Sequence, residues 1–342
     1  MRSLSSAPPP PRHVSRPDPQ ARGCHRRSPL SPPTSAEPAP SVLHVGKFFP
    51  PAHGGIESFL AELIAAQRSL GADAAAVVHG TPRADDPPWL VRVQVQVQLV
   101  YAPIALGFRA ALARAIAQAC PDVLHLHLPN TSAFWALTLP AARQLPWVVH
   151  WHADVVATRG PAALRAAYRL YRPFEQAVLE RASHIVVTSP PYLEASEALR
   201  PWHDKCSVVP LAIRPAVDGT PPPSAVGRPM RLLAIGRLAH YKGFDTLIQA
   251  AADTPGVELR IVGDGEMRAE LEALIRRLAD AGCTSEVHLL GSVDDATKDQ
   301  LLRDCDVLCL PSVERTEAFG VVLLEAMRHA RPCIASDLPG SG

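Results

Sequence analysis

The sequence has no apolar run approaching the roughly 20 residues that a membrane-crossing helix requires, so its hydrophobic stretches read as strands and helix faces. It has no excess of either charge: 34 Lys and Arg stand against 33 Asp and Glu, a balance that leaves no global electrostatic footprint for nucleic acid. It has no paired CxxC spacing, and its seven cysteines are scattered and odd in number. That argues against a disulfide framework or a structural zinc and for a reducing compartment. Cys305 and Cys309 are four apart, but Cys309 falls in an apolar strand and reads as core. What is present is 342 residues, nearly half of them hydrophobic, enough for more than one domain.

The first forty residues differ from the rest. They carry Pro8 to Pro11, further prolines through Pro40, arginines at positions 2, 12, 16, 22, 26 and 27, and no apolar core of a signal peptide. A standard secretory signal is excluded. The Arg- and Ser-rich, acid-poor character has a trace of a transit peptide, but so much proline opposes the amphipathic helix such peptides form. Residues 1–40 read as a disordered extension.

Ordered structure is expected from Ser41. The run Ser41 to Gly46 reads as a buried strand that leads through Lys47 to Pro51 into Gly54-Gly55. Behind the glycines, Ile56, Phe59, Leu60, Leu63, Ile64 and Leu70 fall on one helical stripe, with Gly71 as the stop. A glycine pair between strand and helix lets backbone N–H groups approach a phosphate or a sugar oxygen; the same residues also suit a tight turn without a ligand. The loop lacks both GxGxxG and the Walker lysine, so nicotinamide dinucleotides and ordinary NTPase chemistry are unsupported.

Further strands are expected at Ala74 to His79, at Val91 to Leu99 by strict alternation, at Val123 to His127, at Trp147 to His150, at Ile185 to Ser189 and at Ser207 to Pro210, with a helix over Phe108 to Ala119. Alternating apolar strands and helices imply a parallel, doubly wound sheet, whose ligands gather at the C-terminal ends of strands. Gly54-Gly55, Asn130 and His152 to Asp154 are expected there together. His152 suits a polar contact or a proton handler, or a structural role; His125 and His127 read as packing or as residues that support a neighbour at the site. The helical region Gly160 to Arg181 carries Arg165, Arg169, Arg172 and Arg181 with Tyr168, Tyr171 and Phe174, a face that suits anionic lipid headgroups or plain solvent.

Residues 214–229, with Pro221 to Pro223, read as a linker. The alternation then restarts. Arg231 to Ile235 opens into Gly236-Arg237 and, after a turn, Lys242-Gly243 before a helix from Phe244. An arginine fork and a lysine point charge flanking one turn suit a diphosphate. Val257 to Val262 ends in Gly263-Asp264-Gly265, a weak dinucleotide signal with Arg268 in the place of a third glycine. Strands at Glu286 to Leu290, Asp306 to Leu310 and Pro332 to Ser336 complete the pattern. After Asp306 to Leu310, Glu317-Ala318-Phe319-Gly320 leads into a helix on which Val321, Leu324 and Met327 recur at helical spacing. Its unpaired N–H groups favour a phosphate or an electron-rich hydroxyl, with Glu317 before the entry and Glu325 over a turn inside; ordinary helix-end carboxylates are the competing reading.

With both halves in view, the chain from Ser41 onward resembles a retaining glycosyltransferase of the GT-B group, family 4. The resemblance rests on Glu317 and Glu325 within EAFGVVLLEAM, on GRLAHYKG (236–243), on GGIE (54–57) and on RASHIVVTS (181–189). It implies an α/β fold of two Rossmann-like domains facing a cleft, residues 41–213 on the acceptor side and residues 230–342 on the nucleotide-sugar side. It implies a nucleotide-sugar donor, GDP-mannose or a UDP-sugar, a lipid-linked or polysaccharide acceptor, no nicotinamide, no essential metal and no nucleic acid. The place implied is the cytoplasm, extending to a peripheral contact with the inner face of the plasma membrane. By resemblance, Arg237 and Lys242 hold the diphosphate, Gly54 and Gly55 make backbone contact with phosphate or sugar, Glu325 holds the ribose, and Glu317 holds the donor sugar with the amides of Phe319, Gly320 and Val321. His152 lies near the transferred sugar. Two departures stand out: Pro210-Leu211-Ala212-Ile213-Arg214 replaces the usual Pro-Leu-Gly-Ile-Asp, and family members continue past residue 342, so the second domain is expected to be incomplete. The alternatives are a chain that binds the nucleotide-sugar without turnover and a GT-B sugar epimerase.

Overall fold

The computed structural model describes residues 39–52, 54–99, 102–155, 162–213 and 227–340. Residues 1–38 of the expected extension, residues 214–226 of the expected linker, Gly160 and the two C-terminal residues lie outside this set.

The first half is built on β1 (Ser41–Val45), α1 (Gly55–Ser69), β2 (Asp73–His79) and β3 (Leu90–Val93), then the short pair β4 (Val97–Leu99) and β5 (Ala102–Ile104). There follow α2 (Phe108–Ala119), β6 (Val123–Leu128), α3 (Pro140–Arg143), β7 (Trp147–Trp151), α4 (Ala162–Arg181), β8 (His184–Val187), α5 (Pro190–Ala195) and β9 (Cys206–Val208). Seven of these strands form a parallel sheet in the order β3-β2-β1-β6-β7-β8-β9. Strands covered on both faces need continuous apolar runs. Leu124, Leu126 and Leu128 of β6 and Val149 and Trp151 of β7 are fully enclosed with Phe108 and Leu112 of α2 and with Val178 and Leu179 of α4.

The second half repeats the plan with β10 (Met230–Ile235), α6 (Phe244–Ala252), β11 (Val257–Val262), α7 (Arg268–Asp280), β12 (Glu286–Gly291), α8 (Asp295–Asp304), β13 (Val307–Leu310), α9 (Val321–Arg328) and β14 (Cys333–Ala335). The strands form a parallel sheet in the order β12-β11-β10-β13-β14. Side-chain caps start the helices where the sequence offers one: the Asp294 carboxylate accepts from Thr297 N at 2.7 Å to open α8, and Ser189 opens α5. In both sheets the strand order reverses once, between β1 and β6 and between β10 and β13. Loops diverge at such a point and leave a crevice beyond the strand ends.

Three expectations are corrected. The alternating run from Val91 to Leu99 is not one strand: β3 ends at Val93 and β4 pairs instead with β5, leaving Val97 53% exposed. Period-two alternation encodes a half-buried ribbon but not which partner it takes. Leu70 does not continue the α1 stripe; it caps the helix and is 83% exposed, whereas Leu60 and Ile64 are enclosed. On α9 the buried face is Val322, Leu323 and Ala326, packed with Leu308 and Leu302, while Met327 is 57% exposed and Val321 faces the cleft.

The burial pattern carries a stability expectation. Leu259→Ala, at a fully enclosed position of β11, should cost about 2–5 kcal/mol, and Leu290→Ala, on an exposed position of β12, less than about 0.5 kcal/mol; urea denaturation followed by circular dichroism measures both.

Candidate active site

A cleft of about 660 Å³ lies beyond the strand ends, lined from the first half by Lys47, Gly54, Gly55, Glu57 and His152, and from the second by Arg237, Lys242, Glu317, Phe319, Gly320, Val321 and Glu325 among others. Each lining segment follows a strand: Lys47 follows β1, His152 follows β7, Arg237 and Lys242 follow β10, and Glu317 to Val321 follow β13. The cleft therefore spans the reversal points of both sheets.

Lys242 is one of its lining residues. Its side chain lies along the β10 turn, where a Cβ on Gly236 would come within 3.2 Å of Lys242 Cε. The Nζ is ion-paired and hydrogen-bonded to Glu317 Oε2, and both side chains are 12% exposed. Ser312 Oγ donates to the same carboxylate oxygen at 3.1 Å, and Val313 N donates to the Tyr241 carbonyl at 2.8 Å, tying the two loops together. Burial alone lowers the lysine's affinity for its proton; the Glu317 carboxylate outweighs this and holds Lys242 above its ordinary pKa. Arg237 is more exposed and donates to Glu266 at 3.0 and 3.2 Å. Lys298 donates to Glu325 at 3.1 Å.

The entry to α9 is set by Gly320, whose φ of 74° is left-handed and where a Cβ would meet Leu310 Cδ2 at 2.5 Å; only glycine fits both demands. The turn brings the first amides of α9 to the cleft opposite Gly55, whose Cβ position lies 3.5 Å from Val321 Cγ2. The loop before it is fastened to the first half, since Arg315 Nη1 donates to the Ala195 carbonyl and Thr188 Oγ1 donates to the Ala318 carbonyl at 3.4 Å.

The structure thus brings together His152, Gly54, Gly55, Arg237, Lys242, Glu317, Phe319, Gly320, Val321 and Glu325. Asn130 and Asp154, expected at the same edge, are not among the lining residues. Asn130 is a buried helix cap whose Oδ1 accepts from Ser132 N at 3.0 Å, and buried Asp154 accepts from Trp151 Nε1 at 2.9 Å and Ser196 Oγ at 2.7 Å. Both carboxamide and carboxylate satisfy loop backbone and neighbouring side chains rather than the cleft. Five charged lining residues went without a role in the sequence: Lys47, Glu57, Asp264, Asp295 and Lys298. Lys47 has its pKa lowered by burial, with nearby Glu57 opposing and Arg237 adding to the shift. Glu57 is raised by burial. For Lys47 and Glu57 the signal was positional, a lysine two residues after β1 and an acid in the first turn of α1.

His152 belongs to a buried row with His44, His125, His127 and His150, ring against ring. Burial pushes the His44 pKa down to about 4 and that of His152 to about 3, and those of His125, His127 and His150 well below the ordinary value. All five are neutral near pH 7.

Similarity to known proteins agrees with this arrangement. The family "Glycosyl transferases group 1" matches residues 223–342 and "Glycosyl transferase 4-like domain" matches residues 54–212. The chain is 31% identical over 322 residues to D-rhamnosyltransferase WbpZ of Pseudomonas aeruginosa, covering 88% of this chain and 78% of that protein. It is 30% identical to O-antigen chain mannosyltransferase C of Escherichia coli, covering 88% and 80%. Among solved structures, sucrose-phosphate synthase from Thermosynechococcus elongatus superposes with a TM-score of 0.69 at 22% identity, covering 88% of this chain and 82% of the other. Anabaena Alr3699/HepE in complex with UDP-glucose does so with 0.62 at 20%, covering 88% and 81%. Two Rossmann-like sheets facing a cleft of this kind define a GT-B glycosyltransferase. The chain belongs to the group 1 glycosyltransferases of family 4 type, and it is an enzyme of that class.

The buried histidines carry a pH expectation. Unfolded, these rings titrate near 6.5, whereas folded His44 and His152 hold out to about 4 and about 3. Between those limits the unfolded chain binds protons that the folded chain refuses, so stability present above pH 6.5 is lost as pH falls toward 4. His150→Leu removes a ring whose two nitrogens have no protein partner. It should change stability near neutrality by less than about 1.5 kcal/mol and make the acid limb shallower, as read from urea unfolding across a pH series.

Proposed function

We propose that this enzyme transfers a hexose, with retention of anomeric configuration, from GDP-mannose or a UDP-sugar to a lipid-linked or polysaccharide acceptor in cell-surface glycan synthesis. The observation that carries the reading is the Lys242–Glu317 pair in the cleft wall, with Arg237 on the same turn as Lys242 and the start of α9 lining the same cleft. A nucleotide-sugar presents that mixture: a diphosphate that needs cations and hydroxyls that need a carboxylate. Further support comes from relatives named as rhamnosyl- and mannosyltransferases and from a protein of the same fold solved with UDP-glucose.

On this reading Arg237 and Lys242 neutralise the diphosphate, with Lys242 exchanging part of its hold on Glu317 for phosphate oxygen. Gly54 and Gly55 offer backbone to the phosphate or sugar. Glu317 and the amides of Phe319, Gly320 and Val321 take the sugar's hydroxyls, Glu325 takes the ribose, and His152 stands beside the transferred sugar. The bond from the anomeric carbon to the phosphate oxygen breaks through an oxocarbenium-like state, the acceptor oxygen attacks the same face, and its proton passes to the leaving phosphate. The main device is cationic stabilisation of that departing charge, which asks for no covalent enzyme nucleophile and no resident metal.

Among the described residues no helix is long and apolar enough to cross a membrane. The acceptor side is read as meeting the inner face of the membrane through α4, where Arg169, Leu170, Arg172 and Phe174 are exposed side by side.

Lys242→Ala and Glu317→Ala should each lower transfer by about 100-fold or more while the protein still melts cooperatively; near-normal turnover in both overturns the assignment. A thermal-shift panel of nucleotide-sugars identifies the donor beforehand. Arg169→Glu with Phe174→Ser should release the protein from vesicles containing anionic lipid, measured by co-sedimentation, and unchanged binding removes the membrane contact.

A further inference from the structure

The five buried histidines lie on one face of the first sheet: His44 on β1, His125 and His127 on β6, and His150 and His152 on β7 and just past its end. α1 covers them, with Phe59 edge-on to His150 and His152. Three of the rings and one amide of α1 form a single hydrogen-bonded line. Gln67 Oε1 lies 2.7 Å from His44 Nε2, His44 Nδ1 lies 3.0 Å from His127 Nε2, and His127 Nδ1 lies 2.9 Å from His152 Nε2. A metal ion is not the natural reading of this row. Either three-histidine grouping close enough to share an ion includes His127, and both of its nitrogens are already engaged.

A neutral imidazole has one N–H and one bare nitrogen, which makes the line directional. The Gln67 carbonyl oxygen can only accept, so His44 donates to it from Nε2. His44 Nδ1 is then bare and accepts from His127 Nε2. His127 Nδ1 is bare in turn and accepts from His152 Nε2. His152 is left with a bare Nδ1, and it is His152 that lines the cleft. Turning the amide of Gln67 round would reverse all three bonds and leave His152 with an N–H on Nδ1 instead. Either tautomer satisfies the three bonds; the group at the far end decides between them.

We propose that Gln67 is a positioning residue that sets the tautomer of His152 through His44 and His127, so that His152 meets a donor-sugar hydroxyl as a hydrogen-bond acceptor. The coupling of the three tautomers follows from the row itself, the choice between them from the Gln67 amide, whose oxygen faces His44, and its use toward the sugar rests on the function proposed above. Gln67 is half-buried at the edge of α1 and touches no lining residue of the cleft by hydrogen bond, so its effect on transfer must travel through the rings. That the rings stay neutral agrees with their burial.

Two substitutions separate direction from mere packing. Gln67→Glu can only accept and holds the line in the direction that the Gln67 oxygen gives it; Gln67→Lys can only donate and reverses it. Long-range proton–nitrogen correlation spectra of protein with heavy-nitrogen histidine report each ring's tautomer, and the His152 signals are those lost in His152→Gln. The wild type and Gln67→Glu should show the Nε2–H form of His152, and Gln67→Lys the Nδ1–H form. If Gln67→Lys does not fold, Gln67→Met, which neither donates nor accepts, should show both forms. An unchanged His152 in Gln67→Lys, or in Gln67→Met, overturns the proposal. With the donor identified, kcat/KM should fall about tenfold in Gln67→Lys, the worth of one hydrogen bond, and stay within about twofold in Gln67→Glu. A switched tautomer with unchanged kcat/KM overturns the role toward the sugar. Absence of any sugar transfer by the wild type is a failure of the proposed function and leaves the spectroscopic result standing.

Discussion

A lysine ammonium and a glutamate carboxylate, both nearly withdrawn from water, join the two loops that matter most in this protein. Lys242 comes from the turn after β10 and Glu317 from the loop after β13, and these strands are neighbours at the reversal point of the second sheet. A buried ion pair is weak evidence for stability, because desolvating two charges offsets most of their attraction. Its value here is positional. Each partner makes the other tolerable where little water reaches; the Ser312 hydroxyl holds the carboxylate, and the bond from Val313 N to the Tyr241 carbonyl keeps the two loops in register.

The rest of the cleft follows from where parallel strands end. Two sheets, each reversing once, aim their strand ends at a common space, and short loops leave little choice about which residues line it. Gly320 enters α9 with a left-handed φ, so the helix amides face Gly55. Arg315 and Thr188 hold that loop to the first half. The charges in the cleft come as neighbours of opposite sign, Lys242 with Glu317 and Lys298 with Glu325, which keeps a strongly polar cavity close to neutral. The histidine row is the complementary device on the first sheet. It fills a core face with flat rings, as apolar side chains would, yet keeps a polar connection between α1 and the cleft.

Much of this was written in the chain. The strands β1, β2, β6 and β10 to β13, the helix α2 residue for residue, the glycine loop before α1 and the turn with Arg237 and Lys242 all follow from local rules, because burial on a parallel sheet demands runs of apolar residues and a turn after a strand demands glycine. The resemblance to family 4 added roles for Glu317 and Glu325 that spacing alone left open. Local rules failed where two placements satisfy the same pattern. Val91 to Leu99 alternates faithfully but divides between two sheets. Val321, Leu324 and Met327 keep helical spacing, yet Val322, Leu323 and Ala326 face the core, because the angle at which Gly320 launches α9 chooses the face.

The sequence by itself determined the class of fold, the order of its strands along the chain and the glycine, basic and acidic residues that stand after strand ends, since each depends on neighbours within a few positions. Only the tertiary structure decided which of them meet. Asn130 and Asp154 stand at strand ends as expected but are turned to neighbouring backbone and side chains, whereas Lys47 and Glu57, either side of the glycine loop, share the cleft with Lys298 from α8, far along the chain. His44 and His127 lie on two strands, His152 just past a third and Gln67 on a helix, and nothing in their spacing announces a line. Hydrogen bonds of that kind are set by strand register and by the packing of α1, which are long-range quantities that no local pattern contains.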